Sequence, residues 1–181
     1  MDTIITNRID GIVKAAKQDL VSRNKFLALL LHAYQDAAGK IDFSIVPADS
    51  FLENNYTKKM MLAGSHALAK ANMEIHGKQL LCACLVADAF LSVQKMKQEH
   101  IGLKKIPSNS GYMNASSDPE RMEGLMVITA TKANAADLIY HIYERREGEG
   151  VVFTGALHEG TAQGALVNLF PDNISNQKNK N

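Results

Sequence analysis

Cysteine is scarce in this chain: of 181 residues, only Cys82 and Cys84 carry a thiol. Two positions apart on an extended strand, they point to the same face. A bridge between them would strain that backbone, because a disulfide demands its own geometry. No second cysteine pair and no close histidine pair accompanies them, so a zinc site has no ligand set. Both are read as small buried hydrophobes, free thiols of the kind a reducing compartment preserves.

An excess of one charge is missing too. Twenty Lys and Arg face nineteen Asp and Glu, a net charge of +1. That balance gives no electrostatic case for nucleic acid, which demands a clearly basic face. Charge is uneven only locally. Lys95, Lys97, His100, Lys104 and Lys105 are basic, and the segment from Asp118 onward leans acidic. Both are read as solvated surface. The longest apolar run, residues 80–87, is far too short to span a bilayer. Residues 1–10 carry Asp2, Arg8 and Asp10 and lack the basic-then-apolar layout of a signal peptide. The expectation is a soluble cytoplasmic protein with no membrane partner.

Several catalytic signatures are lacking. There is no phosphate-binding glycine loop and no Gly-x-Ser-x-Gly elbow. None of His32, His66, His76, His100, His141 and His158 pairs with another at the i,i+4 spacing of a helical metal site. His158 and Glu159 are adjacent on an extended segment, so they point opposite ways and read as a polar strand exit. His32 lies among leucines and reads as a packed histidine. Neither a metal nor a cofactor is expected.

What is present is an ordinary globular composition, 46% hydrophobic and 22% charged. It predicts a single α+β domain over residues 1–172 and a disordered polar tail over 173–181. Ile9, Ile12, Val13, Ala16, Leu20 and Val21 recur at helical steps, and Phe26, Leu29, Leu30, Ala33 and Tyr34 resume the stripe after a weak point at Ser22-Arg23-Asn24. The pattern predicts a helix over about 6–38, with Thr6 as N-cap and Gly39 closing it. Residues 41–46 alternate as a short strand that Pro47 stops. A second helix is predicted over about 57–76, with Gly77 as its stop.

After Gly77 the period becomes two. The strand over about 79–95 places Leu81, Ala83, Leu85, Ala87 and Leu91 on one face and Cys82, Cys84, Val86 and Phe90 on the other. Both faces are apolar, so the strand is central and covered on both sides. Asp88 interrupts it and must be hydrogen-bonded or near an edge. Residues 97–122, rich in turn formers, read as a long connection of the functional or mobile kind. Strands over 123–131, 137–146 and 151–157 follow, with links of hairpin length that predict an antiparallel meander. Residues 165–170 read as a last short element. The whole is an antiparallel sheet of four to five strands with the N-terminal helices packed on one face.

The most chemically dense stretch is Ser116-Ser117-Asp118-Pro119-Glu120-Arg121-Met122-Glu123. It sets Asp118, Glu120 and Glu123 around Arg121, whose fork holds carboxylates bidentately. Structurally this is a turn in which Arg121 pins the loop. Functionally Asp88, Asp118, Glu120, Arg121 and Glu123 are candidate ligand-binding residues.

The same stretch, with Leu85-Val86-Ala87-Asp88-Ala89-Phe90 before it, resembles a set of small prokaryotic and phage proteins with no known activity. Their pattern runs from an apolar strand ending in Ala-Glu-Ala-aromatic to Pro-Asp-Arg-x-Glu before a hydrophobic strand. The resemblance spans residues 80–170 and implies the α+β architecture alone. Asp88 stands where Glu is usual, Phe90 stands where Trp is common, and Glu120 alters the spacing between Pro119 and Arg121.

Two functions are weighed. The preferred one is a non-enzymatic binding or assembly module whose partner is another protein or a second copy in a homodimer. The rival is a carboxylate-centred hydrolase or transferase in which Asp88, Asp118, Glu120 and Glu123 hold a divalent cation and Arg121 an anionic substrate.

Overall fold

The computed structural model describes residues 1–91, 122–132, 136–159 and 168–170. Among these residues run helix α1 (Thr3–Arg23), strands β1 (Leu29–Gln35) and β2 (Ile41–Pro47), the single turn α2 (Asp49–Leu52), helix α3 (Asn55–His76), and strands β3 (Gln79–Leu91), β4 (Met122–Thr131), β5 (Asp137–Arg146) and β6 (Gly150–Glu159). The six strands form one sheet in the order β2-β1-β3-β4-β5-β6, and every neighbouring pair is antiparallel. No helix among the described residues is long and apolar enough to cross a membrane.

Helix α1 begins at Thr3, directly after Asp2, which caps it in place of the expected Thr6. The Asp2 carboxylate accepts the Ile4 amide at 2.7 Å and satisfies one of the orphan donors of the first turn. It ends at Asn24, which adopts a left-handed conformation (φ 55°) and returns its amide to Leu20. Asn is among the few side chains that visit this region at low cost. The weak point at Ser22-Arg23-Asn24 is therefore a stop. Residues 29–35, expected as further helix, are strand β1. The run Leu29-Leu30-Leu31-His32-Ala33-Tyr34 satisfies helical spacing, but it is apolar on both sides and short. Such a run serves equally as a strand buried on both faces. Hydrogen-bonding edges on both sides, β2 and β3, decide the outcome. Gly39 does take a positive φ of 82°, but in the β1–β2 hairpin, where the Asp36 carboxylate accepts the amides of Ala38 and Lys40.

The expected central strand is β3, flanked by β1 and β4, and its two faces meet different helices. Cys82, Cys84 and Val86 pack with Ile5, Ile9, Ala16 and Leu20 of α1. Leu80, Ala83, Leu85 and Ala87 pack with Met61 and Ala69 of α3. Leu81 was expected beside Ala83, yet it packs on the α1 side. The reason is a bulge: Ala33 pairs with Cys82 but Tyr34 with Leu80, so Leu81 is the extra residue and the alternation resets there. The expectation that both helices share one face is corrected in the same way. One α1 face and one α3 face enclose the sheet between them, giving three layers. Both thiols are free and buried. Burial pushes Cys82 up to about 12 and Cys84 up to about 11, so neither is a reactive thiolate.

Helix α3 is closed by a capping box at Asn54 and Thr57 and by left-handed Gly77 (φ 61°). Its buried stripe is narrow, Met61, Ser65 and Ala69 at four-residue steps. Ser65 Oγ lies 2.5 Å from Nε2 of the fully buried His32. Leu169 and Phe170 close the same core, and the Asn168 carbonyl lies 2.8 Å from His66 Nε2.

The expected meander is present as β4, β5 and β6, so the sheet has six strands where four to five were expected. At its centre, Gly124 lies under the Tyr140 ring, whose hydroxyl donates to the Ala89 carbonyl. A Cβ at Gly124 would overlap that ring and sit 2.8 Å from the His141 carbonyl oxygen. Gly124→Ala should therefore cost about 2–3 kcal/mol through overpacking. At Gly155, where a Cβ meets nothing within 4 Å, the same change should stay within about 0.5 kcal/mol. Denaturant melts of the two variants measure the difference.

His32 generates a second prediction. Burial, with a smaller push from His66, lowers its pKa to about 4. The unfolded imidazole takes a proton near pH 6.5, whereas the folded one resists it until about 4. Stability from this group is therefore complete above pH 6.5 and falls as pH drops toward 4, by about 2–3 kcal/mol. Comparing wild type with His32→Gln isolates it from the carboxylates. The variant should lose less stability between pH 7 and pH 4.5 in urea melts.

Candidate functional site

Strand β5 sends Ile139, His141, Tyr143 and Arg145 to the α1 face, at the period of two that a strand imposes. Register then places partners. Tyr143 pairs across from Glu123, and Asp88 lies across from Leu125 on the far side of β4. Asp88, Glu123, Tyr143 and Arg145 thus meet at one end of the sheet, although they are spread over three strands.

Arg145 is the hub. Its Nε donates to Glu123 Oε2 at 2.6 Å, and its Nη2 lies 3.6 Å from Asp88 Oδ2. Nη2 also donates to the Tyr143 hydroxyl at 3.0 Å, and that hydroxyl donates to Asp88 Oδ1 at 2.5 Å. Nη1 donates to both the side-chain and main-chain oxygens of Asn24, the residue that ends α1. One guanidinium therefore ties β3, β4 and β5 to the end of α1. Burial opposes its charge, but Glu123, Tyr143 and Asp88 outweigh that, and its pKa is raised. Burial also holds the Tyr143 hydroxyl protonated, reinforced by its bond to Asp88, and it raises Tyr140 in the same direction.

Of the five residues singled out from sequence, the structure brings Asp88 and Glu123 together. Asp118, Glu120 and Arg121 lie outside the described residues, as do the basic stretch at 95–105 and the tail. Asp88 accepts from the Tyr143 hydroxyl at the exposed end of β3, the first of the two placements expected of it. Sequence reasoning missed Tyr143, Arg145 and Asn24. The alternation of β5 put Tyr143 and Arg145 on the face of Ile139 and His141, but only the β4–β5 register shows that this row ends beside Glu123. Among the described residues no group of three or more His, Cys, Asp or Glu is placed to hold a metal ion.

Further along the same row an open groove of about 500 Å³ separates α1 from β4 and β5. Ile9, Val13, Val127 and Ile139 give it apolar walls, and Lys14, Lys17 and His141 bring basic groups to it, with Asp10 and Asp137 also at its edge. Lys17 stacks over the Phe153 ring at 5.2 Å. Its pKa is lowered by burial. Burial likewise lowers His141, and the charge of Lys17 adds to it. In both groups burial works against the charged form.

No protein-family model matches the chain, no curated protein matches it, and no solved structure matches it.

The hub should be visible in stability. Exposed ion pairs contribute about 0–1 kcal/mol, whereas removing one partner of a buried pair costs about 3–5 kcal/mol. Arg145 is 35% exposed, between the two cases, and its loss removes the cation from Glu123 and Asp88, leaving Asp88 with the Tyr143 hydroxyl. Arg145→Ala should destabilise by about 2 kcal/mol. Arg146, 47% exposed and paired among the described residues to Glu144 and Glu149, should tolerate the change within about 0.5 kcal/mol. Urea melts of both variants check the contrast.

Proposed function

We propose that the protein is a non-enzymatic binding module of the cytoplasm, and that the groove beside α1 takes a small amphipathic anion. The observation that carries this reading is that Arg145 occupies the space between Asp88 and Glu123. Carboxylates already matched by a guanidinium are poor general bases, and a fixed cation between them repels a divalent metal. This weighs against the rival metal-dependent hydrolase or transferase at these two residues. The groove supplies the positive side of the case. Its volume falls in the range of small-molecule sites, about 300–1,000 Å³, and such sites pair apolar walls with a few placed polar groups. Lys17 and His141 are those groups for a carboxylate or sulfonate head. Buried, unreactive Cys82 and Cys84 suit a reducing compartment. In its assembly form the reading has a second copy of the chain as partner, and solution mass is the readout.

Thermal melts with octanoate, and separately with magnesium or manganese, test the reading. A ligand that binds only the folded state raises the melting temperature by mass action. Octanoate should raise it in the wild type and do so much less in Lys17→Glu, while the metals leave it unchanged. A metal-induced rise that disappears in Asp88→Asn would overturn the reading in favour of the enzyme.

A further inference from the structure

Helix α3 holds the sheet by one narrow stripe and leaves much of its circumference outside. Of its 22 residues, Met61, Ser65 and Ala69 are buried. Met60, Leu68 and Ile75 are 51%, 36% and 73% exposed, and Gly64 and Ala67 are exposed between them. With Ala71 these residues recur at the three- and four-residue steps of one helix face, within an arc of about 100°. No charged side chain interrupts that arc. Contiguous exposed apolar surface, unlike scattered single residues, marks an interaction site. The face continues into a half-open apolar cleft of about 150 Å³ between α3 and strands β1 and β2, which Met60, Gly64 and Leu68 also line.

We propose that this face of α3 docks on the same face of a second copy, the two helices antiparallel about a two-fold axis at Ala67. The proposal rests on the assembly form of the reading above and gives it a surface. Charge complementarity identifies the occupant. Lys59 and Glu74 lie on one flank of the apolar arc, fifteen positions apart. That is about 22 Å along a helix, too far to pair within one chain. A two-fold at Ala67 sets residue 60 level with residue 74 of the other copy. Lys59 then stands beside the partner's Glu74, and the same pair forms again by symmetry. Within its own chain Glu74 meets Lys70 at 3.8 Å, a pair 64–75% exposed that holds it weakly.

The apolar groups match under the same operation. Ala67 meets the partner's Ala67 on the axis, where a methyl group lets the helices approach. Leu68 meets the partner's Leu68. The partner's Ile75 arrives beside Met60, at the margin of the cleft, and Met60 is unbranched and adapts to it. Such an interface is isologous and closes at two copies.

Sedimentation equilibrium of the full chain at low salt tests this. Mass should rise with concentration from 19.8 kDa and level off at twice that value. Ala67→Glu sets two like charges on the axis and should raise the dimer Kd at least about tenfold. Glutamate favours a helix, and Ala67 is exposed, so the far-ultraviolet circular dichroism should be unchanged. Lys59→Glu alone and Glu74→Lys alone should each weaken the dimer about threefold or more, and the double variant should restore it, since the pair joins two chains. Ala67→Cys should cross-link copy to copy on mild oxidation, and Gln18→Cys on α1 should not; Cys82 and Cys84 are buried and stay out of the reaction. A chain monomeric up to about 1 mM would overturn both this proposal and the assembly form of the reading. A dimer that persists in Ala67→Glu, or a double charge swap without rescue, would overturn this face alone. The groove beside α1 lies across the sheet, and its octanoate shift is read separately.

Discussion

The structure depends on burying strands β1 and β3 from both sides. Leu30 and Tyr34 of β1, with Leu85 and Ala87 of β3, need cover on one face. Leu31 and Ala33, with Cys84 and Val86, need it on the other. A strand apolar on both faces cannot sit in a two-layer fold without exposing one of them. Helix α1 supplies one cover and α3 the other. The connections follow from that demand. The chain forms α1, lays down the β1–β2 hairpin, crosses by α2 and α3 to the opposite face, and returns as β3 beside β1. The meander of β4, β5 and β6 then extends the sheet from β3.

That arrangement leaves room. Six strands at about 4.8 Å spacing make a sheet about 24 Å wide, whereas one helix with its side chains is about 10 Å across. Among the described residues, one long helix per face covers part of the sheet and leaves a margin on each side. The groove beside α1 and the cleft beside α3 are those margins. They differ in chemistry because the strands beneath them differ. Strand β5 brings His141 toward the first, near Lys17. Strand β1 brings His32 to the second, where Ser65 meets one of its two nitrogens.

The charged cluster has a different physical character. Asp88 stands in a strand otherwise built of apolar residues, and it is stable there because Tyr143 and Arg145 reach it from two strands away. Glu123 is held by the same guanidinium. Through Asn24 the network also fixes where α1 stops relative to the sheet. A cluster tied together in this way orients the elements that carry it.

Much of this was legible along the chain. Period-two alternation identified β3 as central and the last three strands as a meander, because a strand's side chains alternate whatever surrounds them. The expectation that Asp88 is hydrogen-bonded or near an edge followed from the cost of an unpaired buried charge, and Gly77 marked the end of α3 through its tolerance of positive φ. Three things needed the folded chain. Residues 29–35 read equally as helix or strand, since a short run apolar on all sides carries no period, and the free edges of β2 and β3 broke the tie. Leu81 changed face through a bulge that only the pairing with β1 defines. Arg145 became the partner of Asp88 and Glu123 because register sets distance across a sheet, and their separations of 57 and 22 positions along the chain carry no sign of it. Local periodicity is written in the sequence by the geometry of the backbone, whereas contacts between distant strands exist only once the hydrogen-bonded ladder has chosen its alignment.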